Sequence, residues 1–336
     1  MRVVQTLVVR DEADIVDAQI TYHLKAGVDF VLATDHDSRD GTAEILASYE
    51  REGHLRLFRE KGEMRDSQWR TQMARLAVTE HGADWVVNTD ADEFWMPRRG
   101  TLKEMLAAIP ETFGVIWALT RHFVPRPIGD PAFAERMTAR LSATTPLNDP
   151  TSPYRPHAKV AHRGDAGVVV FYGSHDVGSS FAPLREWYPA DVLHFPFRSR
   201  EQWERKGVRR ARHDKRLGQY VRAQGAAESG QSEDFYGSLV VDDAALERGL
   251  KNGSLVVDTR LRERLRSSRA TPSGGSSADG VEDCLRAGAE AAALRDANLV
   301  RAARRLDELS ARLGQLERRR WARPARRRAP SDRGHP

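Results

Sequence analysis

The first hundred residues alternate between apolar runs and amphipathic stretches. Val3–Val9 (VVQTLVV) is an apolar, β-rich run and predicts a strand. Asp14–Lys25 carries apolar residues at Ile15, Ala18, Ile20 and Tyr22, the spacing of a helix, with Gly27 just past its end. Val28–Ala33 predicts a second, buried strand, and Thr42–Glu52 a helix that Gly53 stops. His54–Phe58 alternates as a short strand. Asp66–His81 is helical in pattern and ends at Gly82, and Asp84–Asn88 reads as the next strand. Strands separated by helices of this length predict βαβ units, hence an α/β fold with a mainly parallel sheet flanked by helices.

Beyond Pro97 the pattern changes. Leu102–Ala108 predicts a helix and Phe113–Leu119 a strand. The prolines between Pro125 and Pro156 predict long loops, including the stretch Phe133–Leu141. His157–His162 and Gly167–Tyr172 read as strands paired with each other, and Arg200–Arg222 and Val240–Leu250 as helices. Ser267–Gly280 is a linker by composition. After it Leu299, Leu306 and Leu313 recur every seventh residue, interleaved by Leu309 and Leu316, the seam of a short coiled coil. The expected organisation is therefore an α/β domain over residues 1–266 and a linker over 267–280. A C-terminal helical extension, amphipathic or coiled-coil, follows over 281–320, then a disordered basic tail over 321–336.

Composition changes this picture in two places. The chain of 336 residues has a formal net charge of +5, but residues 300–336 hold twelve arginines against four acidic residues, so the basic surplus belongs to the tail. The body gives no charge-based reason to expect specific nucleic-acid binding. A single cysteine, Cys284, rules out a disulfide framework and paired-thiolate zinc sites. No run approaches the roughly 20 apolar residues that cross a bilayer, and the N-terminal apolar run reaches Arg10 too soon for a secretory signal. The expected location is cytoplasmic.

Ligands of open parallel α/β sheets bind beyond the carboxyl ends of the strands. There the sequence places Arg10-Asp11-Glu12, then Thr34-Asp35-His36-Asp37-Ser38-Arg39-Asp40-Gly41-Thr42, then Thr89-Asp90-Ala91-Asp92-Glu93-Phe94-Trp95. Carboxylates held together repel, so such an edge calls for a cation or a donor-rich ligand. Asp90 and Asp92, two apart in an extended segment, face the same way, and a pair of hard oxygen ligands suits Mg²⁺ or Mn²⁺. Asp40 and Thr42 also suit the plain role of capping the next helix. The basic run Lys206–Arg216 reads as a solvated helix face, with a diphosphate or acidic acceptor as the alternative. Trp95, Trp117 and Trp187 are core residues first and sugar-stacking candidates second.

These residues carry a resemblance. The string VVRDEADIVDAQITYHLKAGVDFVLATDHDSRDGT, followed by WVVNTDADEFW, resembles the family 2 glycosyltransferases over residues 1–96, and less strongly through DVLHFPFRSREQWERKG to about 210. The resemblance implies a GT-A fold, a nucleoside-diphosphate-sugar donor, a glycan or other hydroxyl acceptor, and Mn²⁺ or Mg²⁺ as cofactor. Carried over by position, it implies that Asp35 meets the base or ribose, that Asp90 touches ribose and metal, and that Asp92 is the main metal ligand. It implies that Arg10 and Glu12 line the nucleotide pocket, that Gln72 faces the nucleotide, and that His194 is a late third ligand of the metal or a contact to the diphosphate.

There are departures. Asp37 stands where many members have Gly or Asn, and the acidic pair that supplies their catalytic base is not evident. His175, Asp176 and Glu186 are the candidates for that base, with Asp191 in the same stretch. His157, His162, His175 and His194 are four of eleven histidines, and the ordinary role of a histidine is structural or exposed. Two readings follow. One is a metal-dependent glycosyltransferase acting with inversion. The other is a non-catalytic interaction protein with a degenerate GT-A domain, whose coiled segment forms a homodimer or whose arginine-rich tail grips a polyanion or the surface of a membrane. A sugar nucleotidylyltransferase would carry a Gly-rich loop after the first strand, and RDEAD is not one.

Overall fold

The structure is a computed structural model that describes residues 1–127, 132–142, 154, 157–185, 187–213, 225–226 and 228–267, with side chains left undescribed over 207–213. The expected linker beyond Ser267, the coiled segment and basic tail, and Glu186, lie outside the described residues.

The amino-terminal half follows the alternation read from the sequence. β1 (Val3–Val9), α1 (Val16–Lys25), β2 (Phe30–His36), α2 (Thr42–Arg51), β3 (Leu55–Glu60), α3 (Asp66–Thr79) and β4 (Trp85–Asp90) succeed one another. β1, β2, β3 and β4 pair in parallel, with β1 in the centre between β2 and β4. β1 is buried along its whole length, as a strand covered by helices on both faces must be. Its two polar residues bond across the sheet, although Gln5 Oε1 has no hydrogen-bond partner among the described residues. Gln5 donates to Thr89 (2.8 Å) and Thr6 donates to Asn88 (2.8 Å), both on β4. Buried polar groups are tolerated on such terms.

The second half extends the same sheet differently. After β5 (Glu93–Pro97) and α4 (Leu102–Ala107), β6 (Phe113–His122) runs beside β8 (Ala158–Arg163) and β12 (Ala190–His194). The order of the nine-stranded sheet is β3-β2-β1-β4-β8-β6-β12-β5, with β11 (Ala182–Pro183) on β6. β8 is antiparallel to both β4 and β6, and β5 is antiparallel to β12. The sheet is thus mixed α/β and parallel in most of its pairings.

Two expectations change here. His157–His162 and Gly167–Tyr172 do not pair with each other. β8 enters the main sheet, while β9 (Val169–Val170) pairs with β10 (Val177–Gly178). The reason is burial: residues 159–162 are buried throughout, which suits a central strand better than one arm of an exposed hairpin. The stretch Phe133–Leu141 also holds a short helix, α5 (Phe133–Arg136), and a strand, β7 (Ala139–Leu141), that pairs with β13 (Leu255–Val257). The basic helix α6 (Arg200–His213) begins beyond the end of β12.

The main core lies between the sheet and the layer of α1, α2 and α4, with Trp85, Phe94, Trp95 and Phe195 among its residues. Trp95 is fully buried and belongs to this core. α3 packs Trp69 and Met73 on the opposite face. The sheet topology therefore brings the carboxyl ends of β1, β2, β4, β6 and β12 and the start of the antiparallel β8 to one edge.

Candidate active site

Each strand delivers one or two polar side chains to that edge. β2 delivers Asp35, which is 4 % exposed. Its Oδ2 accepts a long hydrogen bond from the Ser38 backbone (3.4 Å), and its Oδ1 is buried with no hydrogen-bond partner among the described residues. Burial pushes its carboxyl above the usual range, and Ser38 offsets this only in part. A buried acceptor left unmatched costs free energy until a ligand donates to it. Arg10, just past β1, approaches His36 (3.4 Å), and its Nε is a buried donor without a hydrogen-bond partner among the described residues.

β4 and the turn into β5 deliver Asp90, Asp92 and Glu93. Asp90 accepts from Lys159 Nζ (2.7 Å) and from Arg70 on α3. Burial alone would raise its carboxyl. Lys159 and Arg70 outweigh burial and hold it well below the usual range. Glu93 is 1 % exposed, with Lys159 at 3.0 Å, and its Oε2 accepts from the Asp90 backbone N–H at 3.1 Å. Burial dominates there and pushes its carboxyl up. Asp92, 2 % exposed, meets His194 Nε2 at 3.4 Å and pairs with Lys206 of α6. These two outweigh its burial and hold it low.

Glu12 closes the cluster from β1. It pairs with Arg198 and stands 3.2 Å from Lys206 Nζ. Arg198 also donates to Asp14 (2.7 Å) and to the Phe195 carbonyl (2.8 Å), tying the end of β12 back to the start of the chain. The carboxylate edge is therefore balanced by Arg70, Lys159, Arg198 and Lys206. Gln72, expected to face the nucleotide, is exposed on α3, and Arg70, two residues earlier, is the side chain of that helix that reaches Asp90.

Histidines line the other side. His122 ends β6 opposite His194 on β12, and their Nδ1 atoms lie 3.0 Å apart. His157 stacks edge-on against both and against His175. His175 Nδ1 lies 2.9 Å from the Ala158 carbonyl, which can only accept, so Nδ1 carries the proton and Nε2 the lone pair. Gly173, at φ 70°, lies against that ring, and a Cβ there would sit 2.7 Å from His175 Nε2. Asp176 is exposed, and its Oδ1 accepts from the Val177 N–H (2.9 Å). Trp117 donates to the His175 carbonyl (3.2 Å), and Trp187 is exposed. Among the described residues, three other than glycine adopt positive φ, namely Asp11, Asp37 and Ser174, and each follows a strand end or adjoins His175. Backbone strain of this kind gathers at functional sites.

A divalent cation fits the donor set. Asp92, Glu93 and His194 each offer a ligand atom, and these lie within 4.8 Å of one another. Carboxylate oxygens with one imidazole suit Mn²⁺ better than Mg²⁺, which prefers oxygen alone. Asp90, expected as a ligand, is engaged by Arg70 and Lys159.

Sequence reasoning missed the cations. Lys206 lay in the run read as a solvated face, and Lys159 and Arg70 carried no signal. Glu93 was visible in DADEF but went unassigned. Among the described residues no helix is long and apolar enough to cross a membrane.

The sequence model of glycosyltransferase family 92 matches residues 4–113. The resemblance to glycosyltransferases thus holds over the segment carrying Asp35, Asp90 and Asp92. No curated protein matches the sequence. Among solved structures, Staphylococcus aureus TarS 1–349 aligns over 67% of this chain and 69% of its own, at 15% identity and a TM-score of 0.32. GalNAc-T7 with UDP, GalNAc and Mn²⁺ aligns over 58% of this chain and 44% of its own, at 13% identity and a TM-score of 0.35. Both likenesses are slight, and the chain spans less than half of the second.

Proposed function

We propose that the protein is a divalent-metal-dependent glycosyltransferase that moves a sugar from a nucleoside-diphosphate-sugar donor to an acceptor hydroxyl with inversion. The observation that carries this reading is the meeting of Asp92 and His194, 3.4 Å apart at one sheet edge that also holds Asp35 with an unmatched acceptor. The family 92 match over residues 4–113 supports the same reading.

Asp35 would accept from the nucleoside, at the end of β2, with Arg10 and Glu12 lining that side of the pocket. Asp92, Glu93 and His194 would hold the metal. That ion, when bound, supplies Lewis-acid stabilisation of the departing diphosphate. Asp90, kept ionised by Lys159 and Arg70, would take a ribose hydroxyl or a water of the ion rather than the ion directly. Lys206 and Arg198 would complete the positive charge facing the diphosphate.

His175 is our choice for the base that takes the proton of the acceptor hydroxyl. Its Nδ1 is committed to Ala158, which leaves Nε2 to accept. Asp176 at its side is the second candidate. Attack from the face opposite the leaving diphosphate inverts the anomeric centre.

A panel of nucleoside diphosphates, each with and without Mn²⁺ and read by thermal shift, tests the reading. Stabilisation by one of them, increased by Mn²⁺, is the expected result. No stabilisation by any of them favours the interaction-protein reading, in which the carboxylates and their internal cations serve only to hold the fold.

A further inference from the structure

Three of the site's histidines form a second group, which shares His194 with the carboxylates. β6 and β12 are parallel neighbours, and His122 and His194 stand opposite each other in register at their ends. Their Nδ1 atoms are 3.0 Å apart. His157 comes in beside them from the residue before β8, held there by its carbonyl, which accepts from the Thr120 N–H (3.0 Å). The rings of His157 and His122 are 5.2 Å apart between centroids, and those of His157 and His194 are 5.8 Å apart.

We propose that His122, His157 and His194 form a second metal site, built of imidazole alone, that takes a borderline transition-metal ion such as Zn²⁺ or Co²⁺. One ring nitrogen from each lies within 4.8 Å of the other two. Tetrahedral ligands at metal–nitrogen distances of about 2.0–2.1 Å stand about 3.4 Å apart. The His122–His194 pair, hydrogen-bonded at 3.0 Å, stands a little closer than that, and a bound ion would replace the shared proton as small ring rotations open the pair and bring in His157.

The chemistry separates this site from the carboxylate one. His194 turns Nε2 toward Asp92 and Nδ1 toward His122, so it faces one group with each nitrogen. The trio itself brings no oxygen donor. A nitrogen-only set is poor for Mg²⁺ and good for Zn²⁺, Co²⁺, Ni²⁺ or Cu²⁺. His175, its ring 4.8 Å from His157, adds a fourth imidazole at the margin. None of this depends on the glycosyltransferase reading, since the site is read from strand register and ring geometry alone.

The test is a Co²⁺ titration of the full-length protein, followed by visible d–d absorption and competed with Zn²⁺, on the wild type and on His157→Ala, His122→Gln and Asp92→Asn. The wild type is expected to bind Co²⁺ at this site with the intense absorption of a four- or five-coordinate ion, and Zn²⁺ is expected to displace it. His157→Ala and His122→Gln are expected to bind at least about tenfold more weakly, while Asp92→Asn keeps the absorption. If His157→Ala fails to melt cooperatively, His157→Asn, closer in size, takes its place. The proposal is overturned if the wild type shows no such absorption, if the histidine variants titrate like the wild type, or if Asp92→Asn loses the absorption while His157→Ala keeps it.

Discussion

Lys206 on α6 places its ammonium between Asp92 and Glu12, so one cation joins the metal-side carboxylate after β4 to the end of β1. It sits where a divalent ion on Asp92 would put its own charge. Ammonium and ion therefore compete, and the ion must displace Lys206 to bind. Lys206→Met is expected to tighten Mn²⁺ binding by about tenfold, equivalent to about 1.4 kcal/mol, and to weaken metal-free binding of the nucleoside diphosphate. Calorimetric titration of both ligands checks this. Unchanged Mn²⁺ affinity would show that the ammonium is no competitor.

Asp35 is predicted to act on the nucleoside side alone. Its unmatched buried Oδ1 is the acceptor that a base or ribose donor would satisfy. Asp35→Ala should weaken nucleoside-diphosphate binding by about 1–3 kcal/mol, the scale of a buried hydrogen bond to a charged group, in the presence and the absence of Mn²⁺. A loss that appears only with Mn²⁺ would place Asp35 in the metal cluster instead.

The fold and the site were unequally legible in the sequence. The strands β1 to β4 and their helices stood out because parallel strands covered on both faces are continuous apolar runs, and because Gly27, Gly53 and Gly82 mark the helix ends. The end-of-strand rule then located Asp35, Asp90 and Asp92. Their cations were not legible. Lys159 reaches Asp90 across 69 residues and Lys206 reaches Asp92 across 114, and an ion pair of that span leaves no local pattern. The same holds for β8, whose place between β4 and β6 depends on a crossover that periodicity does not encode.

Stability should fall on mild acidification, in part through His23. Its Nδ1 donates to the Gln19 carbonyl (2.8 Å) and its Nε2 accepts from the Trp95 N–H (3.2 Å), so only the neutral ring satisfies both. Burial lowers it from 6.5 to about 4. Between those values the unfolded chain holds a proton that the folded chain does not. The stabilisation is complete above pH 6.5 and is lost as pH falls toward 4, at up to about 1.4 kcal/mol per pH unit. His162, lowered to about 4 by burial, adds to the same window. Urea unfolding at pH 7, 6 and 5 should show a shallower loss in His23→Asn than in the wild type, from a lower starting stability. Parallel curves would remove His23 from the account.

Arg198, 1 % exposed, is predicted to be structural as well as electrostatic. It ties Glu12 and Asp14 to the turn after β12. Arg198→Met leaves Glu12 buried beside Asp92 with Lys206 as the remaining counter-charge, and breaking one partner of a buried pair costs about 3–5 kcal/mol. Denaturant unfolding checks the magnitude. A loss under about 1 kcal/mol would mean that Glu12 relaxes into solvent.

The central claim is that Asp92 holds a divalent ion that strengthens binding of a nucleoside diphosphate. The direct measurement is calorimetric titration of the wild type and Asp92→Asn with the nucleoside diphosphate that binds best, with and without Mn²⁺. The wild type should bind more tightly with Mn²⁺, and Asp92→Asn should bind as the metal-free wild type does, whether or not Mn²⁺ is present. The same Mn²⁺ enhancement in Asp92→Asn would contradict the account.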